Sequence, residues 1–201
     1  MSRYMKYQFP FLGIQKPIRS KLEKDFIQKN KNQKFEILRR IIQELWEKPE
    51  REFQYTAMEL MIKSKIWKHK EAVNLLHYCL THKSWWDTVD LIAGRMVGPY
   101  FLTFPAKRDE TIDNWMNADN MWLNRTTLIF QLNYKLKTDE GLLFACIEKH
   151  IGSKEFFIKK AIGWALRQYA RTNPDAVLRF VDGHNLSPLS KREALKHFSK
   201  A

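Results

Sequence analysis

Apolar side chains recur every three and four positions along most of the chain. Phe35, Leu38, Ile41, Ile42 and Leu45 form one such run, Phe53, Ala57, Leu60 and Met61 a second, and Phe157, Ala161, Trp164 and Leu166 to Tyr169 a third. That spacing lines one face of a helix. No period-two run bounded by turn residues interrupts it, so strands are not expected. Helix-start residues punctuate the pattern. Pro49 suits a first helical position with Glu50 and Glu52 near the positive end of the dipole, and Ser84 with Asp87 and Ser190 with Glu193 read as capping boxes. Thr138-Asp139-Glu140, Asn173-Pro174-Asp175 and Ser153 mark further starts. Starts this frequent predict many helices of about eight to twelve residues.

The helical segments are spaced regularly. Those opening at Phe53, Trp86, Trp122, Phe157 and Ser190 lie 33, 36, 35 and 33 residues apart. Four open on an aromatic, and four carry a small residue four positions later: Ala57, Thr126, Ala161 and Ala194. A period of this length in an all-helical chain marks a stack of helical pairs. The expected fold is all-α, a curved α-solenoid of HEAT-like helical repeats forming a single domain over residues 1–201. The remaining segment, the second in the chain, carries Asp90 where the others carry Ala or Thr. A carboxylate is costly to bury without a partner, so either this helix turns outward or the acid has a task. Trp86, four residues earlier, shares its face.

Composition narrows the function. Lys and Arg number 35 against 22 Asp and Glu, a formal charge of +13. A hydrophobic share of 44% excludes a disordered chain, and seven Gly and seven Pro speak against the many turns of a sandwich or barrel. The charge points to a polyanionic partner or only to solubility. Lys63-Lys65-Lys68-Lys70, Lys159-Lys160, Arg167-Arg171 and Lys191-Arg192-Lys196 each read as a solvated helix face, but stacked repeats could align them into one phosphate-binding stripe. Arg125 reads either as a surface arginine or as a fork for a phosphate. Trp85 and Trp86 cannot both be core on one helix face, and Trp164 suits either packing or an aromatic wall; the residues leave both uses open. His69, His77, His82, His150, His184 and His197 form no metal motif, and phosphate loops and nucleophile elbows are absent, so no metal or cofactor is expected. Cys79 and Cys146 read as buried thiols. No apolar run approaches a membrane span or a signal peptide, which predicts a cytoplasmic protein.

At these residues the chain resembles the AlkD branch of the HEAT-like-repeat DNA glycosylases, in the AlkC/AlkD superfamily of DNA alkylation repair. The likeness runs in order through Tyr4-Met5-Lys6, Phe11-Leu12-Gly13-Ile14-Gln15, Pro49-Glu50-Arg51-Glu52-Phe53-Gln54 and Lys83-Ser84-Trp85-Trp86-Asp87, then Val89-Asp90. It continues through Asp119-Asn120, Trp122-Leu123 with Arg125, Lys160-Ala161-Ile162-Gly163-Trp164 and Leu189-Ser190-Lys191-Arg192-Glu193-Ala194. The resemblance implies a monomeric enzyme that hydrolyses the N-glycosidic bond of N3- and N7-alkylated purines in duplex DNA, without a base-flipping pocket. It implies that Asp90 is the catalytic carboxylate, that Trp86 and Trp164 flank the deoxyribose, and that Arg125 holds backbone phosphate. Tyr4 and Gln15 match further cleft positions. It also implies a bacterial-type intracellular enzyme, nucleoid-associated when bound to DNA. The segment Lys16-Pro17-Ile18-Arg19-Ser20 departs from the family pattern, and the alternative is a non-catalytic HEAT-repeat binder of duplex or branched DNA. A protein-binding scaffold is the third reading.

Overall fold

The computed structural model describes residues 2–196 and 198, and every regular element among them is helical. His197 lies outside the described residues. The chain packs as two compact units, Met1–Lys83 and Ser84–Ala201. The first holds α1 (Lys16–Leu22), α2 (Lys24–Asn30), α3 (Phe35–Glu47), α4 (Arg51–Lys63) and α5 (Ala72–Thr81). The second holds α6 (Trp86–Ile92), α7 (Gly98–Thr103), α8 (Arg108–Met116), α9 (Met121–Ile129), α10 (Glu140–His150), α11 (Phe156–Tyr169), α12 (Pro174–Gly183) and α13 (Pro188–Leu195). A π-helical turn over Ala93–Val97 joins α6 to α7.

The helices follow the apolar periodicity. Leu38, Ile42 and Trp46 of α3 are buried, as are Leu60 and Met61 of α4, and the Trp46 indole donates to the His82 carbonyl at 2.8 Å. In the second unit Val89, Ile92, Leu128, Ile129, Ile158 and Leu166 occupy the equivalent inward positions. All four small repeat residues, Ala57, Thr126, Ala161 and Ala194, are fully buried, so the repeat alignment marks true packing positions. The all-α fold of stacked helical pairs, as in an α-solenoid, holds. Both cysteines are buried free thiols; burial pushes Cys146 up to about 11 and Cys79 well above its ordinary value. No helix among the described residues is long and apolar enough to cross a membrane.

Helix starts were legible only in part. Asn173 and Asp139 cap α12 and α10, accepting from Ala176 N at 3.2 Å and Leu142 N at 3.0 Å. Pro49 is not a first helical residue: α4 begins at Arg51, whose amide is tied to the Pro10 carbonyl at 3.0 Å. Neither Ser84 nor Ser190 holds the cap position of its helix. Trp85 holds the cap position of α6 because its ring is anchored in an aromatic cluster, and Ser187 caps α13 because Pro188 starts that helix early. Ser190 instead donates its hydroxyl to the Lys159 carbonyl at 2.9 Å. Ser153 is not the cap of α11: Glu155 holds that position, and Ser153, two residues before it, accepts from Glu155 N at 3.2 Å. Helices run from six to fourteen residues, a wider spread than expected, because stacking rather than isolated stability sets their length.

Candidate active site

Asp90 sits in the last full turn of α6, one turn after Trp86. Its side chain is 19% exposed, whereas that of Arg125 on α9 is only 5% exposed. The two make a bidentate pair: Arg125 Nε donates to Asp90 Oδ1 at 2.7 Å and Nη2 donates to Oδ2 at 2.9 Å. The remaining Arg125 nitrogen, Nη1, donates to the Phe157 carbonyl on α11. Asp90 therefore escapes the cost of burial at a small-residue position because the next repeat supplies a planar cation. Burial raises the Asp90 carboxyl above its ordinary value, against the pull of the Arg125 hydrogen bonds and charge.

The sequence around Arg125 folds to aim it. Asn120 caps α9, its side-chain oxygen accepting from Trp122 N at 3.0 Å and Leu123 N at 3.1 Å. Asn124 then ties the α8–α9 turn together by donating to the carbonyls of Trp115 at 2.9 Å and Ala118 at 3.1 Å. Three aromatics fix the starts of α6, α9 and α11: Trp85, Trp122 and Phe157 meet with ring centroids 5.6, 5.3 and 5.1 Å apart. Trp85 is thus a packing residue. Trp86 and Trp164 are both half-buried. Trp164 lies two turns beyond Phe157 on the same face of α11.

Gly163, beside Trp164, permits a close helix crossing. A Cβ there would stand 2.4 Å from Glu193 Cβ and 2.7 Å from the Ser190 carbonyl oxygen on α13. The Ala-Ile-Gly-Trp run is therefore partly a packing signature.

The structure brings Asp90 and Arg125 into contact, with Trp86 on the Asp90 face, and sets all of these and Trp164 in the second unit. Tyr4 and Gln15 belong to the first. Tyr4 is 72% exposed, and Gln15 is an exposed residue at the cap position of α1. The loop before Gln15 is clamped by buried Glu52, whose Oε2 accepts from Leu12 N at 3.0 Å and whose Oε1 accepts from Gly13 N at 3.0 Å and Ile14 N at 3.2 Å. Gly13 has φ of +80°, which lets successive amides turn toward one carboxylate. Arg51 is fully buried, donates to the Lys83 carbonyl at 2.7 Å and lies over the Phe9 ring. The helical pattern carried no signal for the roles of Glu52 and Arg51, since both partners are distant in sequence. Among the described residues no group of three or more His, Cys, Asp or Glu side chains is placed to hold a metal ion.

A sequence model of a family described as DNA alkylation repair enzyme matches residues 1–198. A solved structure from Enterococcus faecalis, described as a predicted DNA alkylation repair enzyme, superposes with a TM-score of 0.92 at 36% identity. The match covers 100% of this chain and 94% of that one. A comparison with curated proteins finds no match.

Proposed function

The chain belongs to the DNA alkylation repair enzyme family, and from that premise we propose that it is a DNA glycosylase releasing positively charged N3- and N7-alkylated purines from duplex DNA. The observation that carries this reading is Asp90. It is the one carboxylate at the repeated small-residue position, held by two hydrogen bonds from Arg125 yet still partly open to solvent, with Trp86 on its helix face.

The chemistry suits those residues. An alkylated purine already carries positive charge, so it leaves without a general acid. The C1′–N bond breaks with its electron pair going to the base, which becomes neutral, while positive charge develops on the sugar. An ionised Asp90 stabilises that oxocarbenium-like centre. Trp86 and Trp164 offer electron-rich faces to the same charge. Water then adds to C1′ and gives up its proton to Asp90 or to solvent. Arg125 fixes the carboxylate plane. Three of its five N–H groups are engaged by Asp90 and Phe157, which leaves two for a DNA phosphate. A phosphate there would draw charge from Arg125 and leave the Asp90 field less compensated. Tyr4 and Gln15 are assigned to DNA contact from the first unit, the whole chain acting as one monomeric DNA-binding domain.

Incubating the protein with duplex DNA containing N7-methylguanine tests the reading: free base should appear faster than spontaneous depurination. The same tight Asp90–Arg125 pair also fits a structural ion pair in a non-catalytic DNA binder. That second reading predicts salt-sensitive binding with no base release.

A further inference from the structure

A second charged cluster gathers around Glu193, with two of its cations on the α11 helix that carries Trp164. Glu193 of α13 is almost fully buried and serves three cations at once. Lys160 Nζ approaches its Oε1 at 2.9 Å, Lys196 Nζ approaches the same oxygen at 2.6 Å, and Arg167 Nη1 reaches Oε2 at 2.7 Å. One carboxylate needs only one cation for neutrality, so the cluster keeps a net charge of two positive units. That excess faces solvent, because the side chains of Lys160, Arg167 and Lys196 are 38%, 29% and 48% exposed.

The placement follows from the helix. Residues 160, 164 and 167 stand at i, i+4 and i+7, so Lys160 and Arg167 lie a turn to either side of Trp164 on one face of α11. They are separated by about 10 Å along the axis. A single carboxylate reaches both only because α13 is seated against Gly163, where no side chain intervenes. Glu193 thereby holds two long, flexible cations in fixed positions flanking the candidate site tryptophan.

We propose that Lys160, Arg167 and Lys196, ordered by Glu193, form a clamp for the phosphate backbone of nucleic acid beside Trp164. Glu193 is a positioning residue: it contributes no attraction of its own, and it removes the entropy that three free side chains would lose on binding. The clamp rests on the DNA-binding part of the proposed function and not on base release, so the two are tested separately.

The experiment is fluorescence anisotropy of the full chain with a labelled, undamaged duplex across a salt series. Lys160→Gln and Arg167→Gln should each make the slope of log K against log salt shallower by about 0.9, the value of one phosphate contact, and Lys160→Arg should restore it. Glu193→Gln should bind about two- to tenfold more weakly although it removes a negative charge, because the cations lose their order. Unchanged slopes in the Lys160 and Arg167 variants, with only a lower melting temperature, would reduce the cluster to structural ion pairs. Tighter binding by Glu193→Gln would show that Glu193 merely neutralises, and would overturn its positioning role. Lys160 and Arg167 are part-exposed, so their variants decide the matter even if Glu193→Gln does not fold. A wild-type protein that binds with the expected slopes but releases no base would remove the glycosylase reading and leave the clamp standing; one that fails to bind DNA at low salt would remove the clamp itself.

Discussion

Gly163→Ala tests how closely α13 is seated on α11. In the middle of an exposed helix this change would stabilise by about 1 kcal/mol, because Ala is the better helix former. Here the new methyl would meet Glu193 Cβ at 2.4 Å, Ser190 O at 2.7 Å and Ser190 Cα at 3.3 Å. Carbon atoms in good contact sit at about 3.5–4.0 Å, so α13 must retreat by roughly 1 Å or more. Two of the contacts involve the α13 backbone, which a rotamer change cannot relieve. Retreat also stretches the Ser190 hydroxyl bond to the Lys159 carbonyl, now 2.9 Å, and the Glu193 bonds to Lys160 and Arg167. Overpacking of this kind costs about 1–3 kcal/mol, and the strained hydrogen bonds offset the propensity gain. At about 2–4 °C per kcal/mol the melting temperature should fall by about 2–12 °C. Circular dichroism melts of wild type and variant measure it. Gly141→Ala is the control, since its Cβ would meet nothing nearer than Asp139 Oδ1 at 3.7 Å, and it should melt at or slightly above wild type. A Gly163→Ala protein that melts as high as wild type would refute the packing argument.

Three further outcomes follow from named contacts. Arg125→Met should lower the neutral-pH melting temperature by leaving a largely buried carboxylate unpaired, at up to about 3–5 kcal/mol, and the loss should shrink in acid as Asp90 protonates; Arg125→Lys should rescue it poorly, because a point charge cannot span both Asp90 oxygens and the Phe157 carbonyl. Glu52→Gln should speed amide hydrogen exchange at Leu12, Gly13 and Ile14, since the amide side chain keeps only one strong acceptor oxygen for three N–H donors. Burial raises the Glu193 carboxyl, but hydrogen bonds from Lys196 and Lys160 outweigh it and hold the group at about 2. A depressed folded value stabilises above the unfolded one, so this contribution, at most about 3 kcal/mol, is complete above about pH 4.5 and drains away as pH falls toward 2; urea midpoints along that range should decline less steeply in Glu193→Gln.

Local sequence rules reached the helices and the repeat, because both rest on short-range periodicity. Ala57, Thr126, Ala161 and Ala194 mark a packing position that is buried in the structure, and Asp90 stands out against them in the sequence alone. The partner of Asp90 was not legible from spacing. Arg125 lies 35 residues away, and only stacking of one repeat on the next makes that separation a contact. Similar stacking pairs Thr56 with Glu23 and Lys160 with Glu193, each 33 residues apart, so the position just before the small residue links neighbouring repeats. The cap positions read at Ser84 and Ser190 are displaced for two different reasons. A tertiary anchor, the Trp85 ring, moves the α6 start one residue past Ser84, whereas a local signal, Ser187 followed by Pro188, starts α13 three residues before Ser190 with an equally good capping side chain. Glu52 and Gly13 show the reverse case, where two residues unremarkable alone form a three-amide clamp once the loop closes.

The central claim is that Asp90 acts on the sugar while the surrounding cations hold the DNA. Single-turnover release of N7-methylguanine from duplex DNA, compared between wild type and Asp90→Asn, tests it most directly. The account predicts that the substitution slows release by about 10²-fold or more, the scale of losing one electrostatic stabiliser, while affinity for undamaged duplex stays within a few-fold. Equal release rates in the two proteins, or a wild-type rate no faster than spontaneous depurination, would contradict it.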